Sequence, residues 1–166
     1  MTQLLLSKKE IANHEFLFGR TAQGLAFFDT LANKKYLPKY FKGYEFVPDS
    51  SPDEEFISQL EDYFQGKKPN FSVTLDLIGT DFQKEVWQEL VKVPYGQTTS
   101  YQALAIAINR PKAIRAVGGA VGRNPVMLVV PCHRVIGKNG QLTGFRGGIP
   151  LKKELLAIEN QQNPKD

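Results

Sequence analysis

Ser100-Tyr101-Gln102-Ala103-Leu104-Ala105-Ile106-Ala107-Ile108, then Asn109-Arg110-Pro111, then Lys112-Ala113-Ile114-Arg115-Ala116-Val117-Gly118-Gly119-Ala120-Val121-Gly122, reads as two short helices across a tight break. Thr98, Thr99 and Ser100 offer capping hydroxyls for a helix from Tyr101 to Ile108, and Pro111 suits the first position of a second helix running through Val121. Two such helices make a helix-turn-helix. The second helix divides into two stripes. Ile114, Val117 and Val121 form an apolar one, whereas Lys112, Arg115, Gly119 and Gly122 form one that is basic and nearly bare. Gly118 and Gly119 each cost a helix interior about 1 kcal/mol relative to alanine, so something other than helix stability is gained there. Tight packing of a neighbouring helix is one such gain and close approach of an outside backbone is another. Arg115 beside the glycines favours nucleic acid.

Upstream, the pattern changes character. Glu15-Phe16-Leu17-Phe18 and Leu25-Ala26-Phe27-Phe28 flank a break at Gly19 to Gly24, which predicts a hairpin. Ser51-Pro52-Asp53-Glu54 opens a helix with Ser51 as cap, and Phe56, Ile57, Leu60, Tyr63 and Phe64 mark its buried face. Phe71, Val73, Leu75 and Leu77 alternate with polar residues, as a half-buried strand does. His14, beside a strand, is given no role. After Ile78-Gly79 the periodicity turns helical, with Thr80 as cap and Phe82, Val86, Trp87, Leu90 and Val93 inward. The expected fold is therefore α/β of the α+β kind. A small N-terminal sheet with a helix occupies residues 1–78, and a mainly helical domain carrying the helix-turn-helix occupies 79–166.

Downstream of the second helix, Asn124-Pro125 stops helical geometry. Val126 to Val130 should run extended into Pro131-Cys132-His133-Arg134-Val135, which holds the one cysteine of the chain. Thiolate is a strong nucleophile, and a neighbouring base increases its supply. Side chains adjacent in an extended segment point apart, so Cys132 and His133 meet only through a bend or a bridging water. The imidazole also needs an acceptor to fix its tautomer, and Glu159, at the end of a last helix from Pro150 to about Asn160, is a candidate. Between them lie a turn at Gly137-Lys138-Asn139-Gly140 and a loop, Gly144-Phe145-Arg146-Gly147-Gly148, placed to cover a pocket.

Composition excludes several classes. At 166 residues, with 42% hydrophobic and 23% charged residues, the chain reads as globular. No apolar run approaches the roughly 20 residues that span a bilayer, and the N-terminus lacks the pattern of a signal peptide. A cytoplasmic setting follows, nucleoid-associated or nuclear according to the organism. One cysteine and two histidines argue against a disulfide, a structural metal or a metal cofactor. The net charge of +4 is compatible with an anionic partner without requiring one.

Taken together, these stretches resemble a known family. Pro131-Cys132-His133-Arg134-Val135 is similar to the signature of the O6-alkylguanine-DNA alkyltransferases, also called methylated-DNA-protein-cysteine methyltransferases. The resemblance extends through Phe82-Gln83 to Trp87, Pro94-Tyr95-Gly96, Thr99-Ser100-Tyr101, Arg115 to Ala120, Asn124-Pro125, and Lys153-Glu154-Leu155-Leu156 to Glu159. The first 78 residues are similar only in character.

The resemblance implies repair of O6-methylguanine, and less efficiently O4-methylthymine, in double-stranded DNA by a monomer needing no cofactor. Cys132 would accept the alkyl group once and for all. A water would link it to His133, which Glu159 would support, and Asn124 would tie the helix-turn-helix to the active-site turn. The target base is flipped out of the stack. Arg115 would fill its place, while Tyr101 would turn the 3′ phosphate and donate to the departing guanine. Ser100, Gln102, Ala116, Gly119, Gly122 and Arg123 would complete a surface entering the minor groove. Cys132 and Val135 would offer carbonyls to the guanine amino group, with Phe145 and Arg146 lining the alkyl pocket. Arg134, despite its charge, reads as a structural ion-pair partner rather than a base reader. Three other readings compete: a non-reacting lesion binder, against which Cys132 argues; a helix-turn-helix regulator, for which the second helix offers few base-reading side chains; and a cysteine hydrolase, for which no oxyanion hole is evident.

Overall fold

The computed structural model describes residues 1–162, and the chain divides into two compact units, Met1–Ile78 and Gly79–Asp166. In the first unit β1 (Gln3–Ile11), β2 (His14–Thr21) and β3 (Gly24–Thr30) form an antiparallel meander. A short helix α1 (Leu37–Tyr40) follows a 3₁₀ stretch, and β4 (Glu45–Pro48) then adds in parallel beside β1, giving the order β3-β2-β1-β4. The β1–β2 connection is made by Ala12 and Asn13, with φ of 54° and 67°. Two successive positive φ values match the right-handed twist of paired strands.

Phe16, Leu17 and Phe18 are all buried because this sheet is covered on both faces. Leu4, Leu17, Ala26 and Phe27 meet Leu37 and Phe41 on one side. Phe28 packs at a tilt against both Phe16 and Phe18 on the other, where Phe56 of helix α2 (Glu54–Phe64) meets Phe18 and Phe28 edge-on. That helix is capped by Asp53, whose carboxylate accepts from Phe56 N at 3.0 Å, and not by Ser51 as the sequence pattern suggests. The break expected at Gly19 to Gly24 narrows to Ala22 and Gln23, because Gly19 lies inside β2 at a bulge. The alternation from Phe71 to Leu77 yields no strand. Only Leu75 pairs, in a bridge to Leu25. The chain passes so near there that a Cβ on Gly24 would lie 2.6 Å from Thr74 O.

In the second unit α3 (Asp81–Leu90) begins with a reciprocal capping box between Thr80 and Gln83. Such a cap adds about 1 kcal/mol. A two-residue strand, β5 (Thr99–Ser100), leads into α4 (Tyr101–Ala107), capped by Ser100 Oγ on Ala103 N at 3.0 Å. The second helix of the pair, α5 (Ile114–Gly122), starts three residues later than Pro111 predicts, since Arg110 to Ala113 are spent on a turn closed by Ala113 N to Arg110 O. Ile114 is consequently 40% exposed, leaving Val117, Ala120 and Val121 as the buried stripe. Trp87 joins α3 to α5 by donating its indole N–H to Ala120 O at 2.8 Å. A short β6 (Val135–Ile136) pairs in parallel with β5, and the last helix, α6, spans Ile149–Gln162. Among the described residues no helix is long and apolar enough to cross a membrane.

Candidate active site

The segment from Val126 to Val130 is not extended. Leu128, 1% exposed, has φ of 74°, and Val129 N bonds back to Met127 O at 2.8 Å, so a γ-turn reverses the chain. A second tight turn follows at once: Cys132 N bonds to Val130 O at 2.7 Å across Pro131, whose φ of −80° and ψ of 66° are those of an inverse γ-turn. A proline is suited to this place because its ring already fixes φ and no N–H is wasted. A left-handed leucine costs on the order of 1–3 kcal/mol and persists only where its surroundings enforce it.

Asn124, 2% exposed, supplies the enforcement. Its Nδ2 donates to Val130 O at 2.7 Å and its Oδ1 accepts from Val126 N at 3.0 Å. One side chain just past the end of α5 thus ties Val126 to Val130 around the first turn and holds the start of the second.

Cys132, partly exposed, then opens a single 3₁₀ turn, Cys132–Arg134, which supplies the bend that an extended segment lacks. His133 is fully buried, with Nε2 2.6 Å from Glu159 Oε2. Arg134 grips the same carboxylate through Nε on Oε1 at 2.8 Å and Nη2 on Oε2 at 3.0 Å, and its Nη1 donates to Val93 O at 2.7 Å. Gly96 N adds a longer contact of 3.3 Å to Oε1. Burial would raise the Glu159 pKa, but the hydrogen bonds from His133 and Arg134 hold it down at about 2. Burial pushes His133 the other way, below its ordinary 6.5; Glu159 opposes that, while Arg134 and Lys152 reinforce it. The consistent state is an ionised carboxylate receiving Nε2–H from a neutral imidazole. Nδ1 then carries the lone pair, and it is the one buried side-chain nitrogen or oxygen among the described residues with no hydrogen-bond partner.

Sequence reasoning missed Lys152. Only 1% exposed, it donates Nζ to Val135 O at 2.7 Å and, more weakly, to Thr143 O at 3.4 Å. Burial lowers its pKa, and the negative charge that Cys132 can carry works against that lowering. A buried lysine usually has a carboxylate partner; here two backbone carbonyls take the ammonium, and Cys132 is the acidic group whose negative charge favours it. The available signal was its place one turn into α6, between Leu151 and Leu155, where an exposed lysine would not be expected. Val135 O, read as an acceptor for a base, already takes this ammonium, which leaves it one further lone pair.

A cleft in the same unit is lined by Tyr101, Ile114, Arg115, Gly118 and Gly144. Arg115, Ala116, Gly119 and Gly122 lie exposed on α5, with Arg123 exposed just past its end and Gln102 exposed on α4. A Cβ on Gly119 or Gly122 would meet nothing within 4 Å, and one on Gly118 would only touch the Tyr101 ring at 3.7 Å. Tight packing inside the unit therefore does not explain these glycines. Arg146 is turned toward α5, where Nη2 donates to Asn124 O at 2.7 Å, and Phe145 folds back over Gly147.

A helix-turn-helix with a bare outer helix face, coupled by one asparagine to a cysteine followed by a buried His–Glu pair, defines a DNA-directed thiol acceptor. The model of the 6-O-methylguanine DNA methyltransferase DNA-binding domain matches residues 81–161. The chain is 45% identical over 152 residues to the inducible methylated-DNA–protein-cysteine methyltransferase of Bacillus subtilis, covering 88% of this chain and 84% of that one. The crystal structure of Mycobacterium tuberculosis O6-methylguanine methyltransferase superposes with a TM-score of 0.83 at 38% identity, covering 100% of this chain and 97% of that one. That of the M. tuberculosis OGT in complex with DNA gives 0.81 at 37%, covering 98% and 96%. The chain belongs to the methylated-DNA–protein-cysteine methyltransferase family.

Proposed function

We propose that the protein removes the alkyl group from O6-methylguanine in duplex DNA, and less efficiently from O4-methylthymine, by transferring it to Cys132. The observation that carries this reading is the His133–Glu159 pair buried directly after the chain's one cysteine. With Nε2–H committed to Glu159, Nδ1 is left as a base. It takes the thiol proton, through a water where the side chains do not meet. The sulfur then attacks the methyl carbon, the S–C bond forms as the C–O6 bond breaks, and guanine leaves as an anion. Tyr101 donates to that anion, and the proton lost by the thiol makes up the balance. Lys152 places a positive charge where the thiolate develops.

Reaching the base requires flipping it out of the stack, at a cost of a few kcal/mol. The open face of α5 supports a close approach to DNA in the minor groove, with Ala116, Gly119 and Gly122 admitting the backbone and Ser100, Gln102 and Arg123 contacting it. Arg115, which lines the cleft, occupies the vacated place. The unit from Gly79 onward carries all of these groups, and the first unit serves as support. The product is a thioether, which water does not cleave readily, so a monomer acts once.

The test is incubation with duplex carrying a radiolabelled O6-methyl group, followed by peptide mapping. Label should appear in the Cys132 peptide at no more than one equivalent and vanish in Cys132→Ser. Label elsewhere, or sustained turnover, overturns the reading.

A further inference from the structure

Thr143 stands at the start of the loop that carries Phe145 and Arg146, and three contacts fix it. Its methyl group lies over Gly137, where a Cβ would come within 2.8 Å of Thr143 Cγ2. Its carbonyl oxygen faces the Lys152 ammonium at 3.4 Å. Its hydroxyl sits 2.7 Å from the Tyr101 hydroxyl, with either oxygen able to donate. Tyr101 is the first residue of α4, half-buried, with its ring against Gly118 on α5. Tyr101, Ile114, Arg115 and Gly118 of the helix pair line the cleft together with Gly144 of the loop. The Tyr101–Thr143 bond therefore ties a cleft-lining side chain of the helix pair to the loop residue next to Gly144.

We propose that Thr143 is a positioning residue that latches Tyr101 to the loop beside the cleft, so that a base entering the cleft must take Tyr101 from Thr143. The proposal rests on the reading that Tyr101 meets the flipped base. The Tyr101 oxygen is tied to the loop whichever hydroxyl donates, and it is free to turn toward a base only when the threonine lets go. Arg146 stays bonded to Asn124 O at the far end of the loop, so release frees one edge of it while the other remains anchored. A closed form that must open reduces apparent affinity by the fraction that is open and leaves the rate in the bound complex unchanged. Exchanging one neutral hydrogen bond corresponds to roughly a two- to tenfold effect. If Thr143 instead preorganised Tyr101 for catalysis, its loss would lower the saturating rate.

The two possibilities separate in single-turnover transfer from a duplex oligonucleotide containing O6-methylguanine, measured against protein concentration. Thr143→Val keeps the shape, and Thr143→Ala removes the hydroxyl with less bulk. Both should lower the half-saturating concentration by roughly two- to tenfold with the saturating rate unchanged, while Thr143→Ser behaves as the parent. In a Tyr101→Phe background the same substitutions should have no effect on half-saturation. A half-saturation that is unchanged or raised, a fall in the saturating rate, or an equal shift in the Tyr101→Phe background overturns the latch. Absence of transfer to Cys132 in the parent protein overturns the functional reading itself, and the latch with it.

Discussion

His133 Nε2 lies 2.6 Å from Glu159 Oε2, and both side chains are almost wholly removed from solvent. The carboxylate comes from α6, 26 positions along the chain, and it serves Arg134 as well. One buried charge therefore fixes the tautomer of the histidine and neutralises an arginine in the same turn.

Glu159→Gln removes that charge at nearly constant volume. Arg134 is then buried without its counter-ion, which costs roughly 3 to 5 kcal/mol when one partner of a buried pair is deleted. The imidazole loses the anion that would stabilise its protonated form, and the alkyl-transfer rate should fall by about 10²- to 10³-fold. Thermal unfolding and single-turnover transfer check the two effects separately. A variant of unchanged stability would contradict the role assigned to Arg134.

Stability should decline toward acid in two stages. Folded His133 stays neutral below its ordinary 6.5, whereas the unfolded chain takes up that proton from about pH 6.5 downward, so stability present at pH 7 begins to be lost there. Folded Glu159 stays ionised to about 2 while an ordinary glutamate protonates near 4.5, so a further amount, on the order of 3 kcal/mol, is lost as pH falls from about 4.5 through about 2. Urea midpoints measured from pH 8 to pH 3 report both stages. A midpoint that does not change between pH 7 and 5 would count against a buried neutral His133.

Gly119 separates the stability of α5 from its use. Because a Cβ there meets nothing within 4 Å, Gly119→Ala should stabilise the fold by about 1 kcal/mol. Gly119→Leu should also fold, yet transfer from duplex should fall roughly ten- to hundredfold as the side chain holds the DNA away. Transfer from free O6-benzylguanine should be unaffected. Equal loss on both substrates would show that the glycine face is not the DNA contact.

Asn124→Ala leaves Val126 N without an acceptor and deprives Val130 O of one of its two donors. A loss of about 1–3 kcal/mol is expected in chemical denaturation, together with slower transfer, because the doubled turn that presents Cys132 is no longer pinned. Asn124→Asp should be worse at neutral pH, since a carboxylate oxygen would then oppose the Val130 carbonyl.

The sequence by itself determined the helix-turn-helix, the Thr80 and Ser100 caps, the cysteine with its histidine, and Glu159 as a candidate partner. Capping, periodicity and a contiguous motif are local, and local chemistry is written in neighbouring residues. It misjudged Val126 to Val130, because an apolar run looks extended until Asn124 is seen to hold its two ends. It misjudged Phe71 to Leu77, where alternation was present but only Leu75 met a partner strand. Tertiary structure alone decided that Gly119 and Gly122 face open space, that Lys152 is buried against Val135 O, and that Thr143 meets Tyr101. Those facts depend on where α5, α6 and the loop between Ile136 and Ile149 lie in space, and a side chain's surroundings are not a property of its neighbours in the chain.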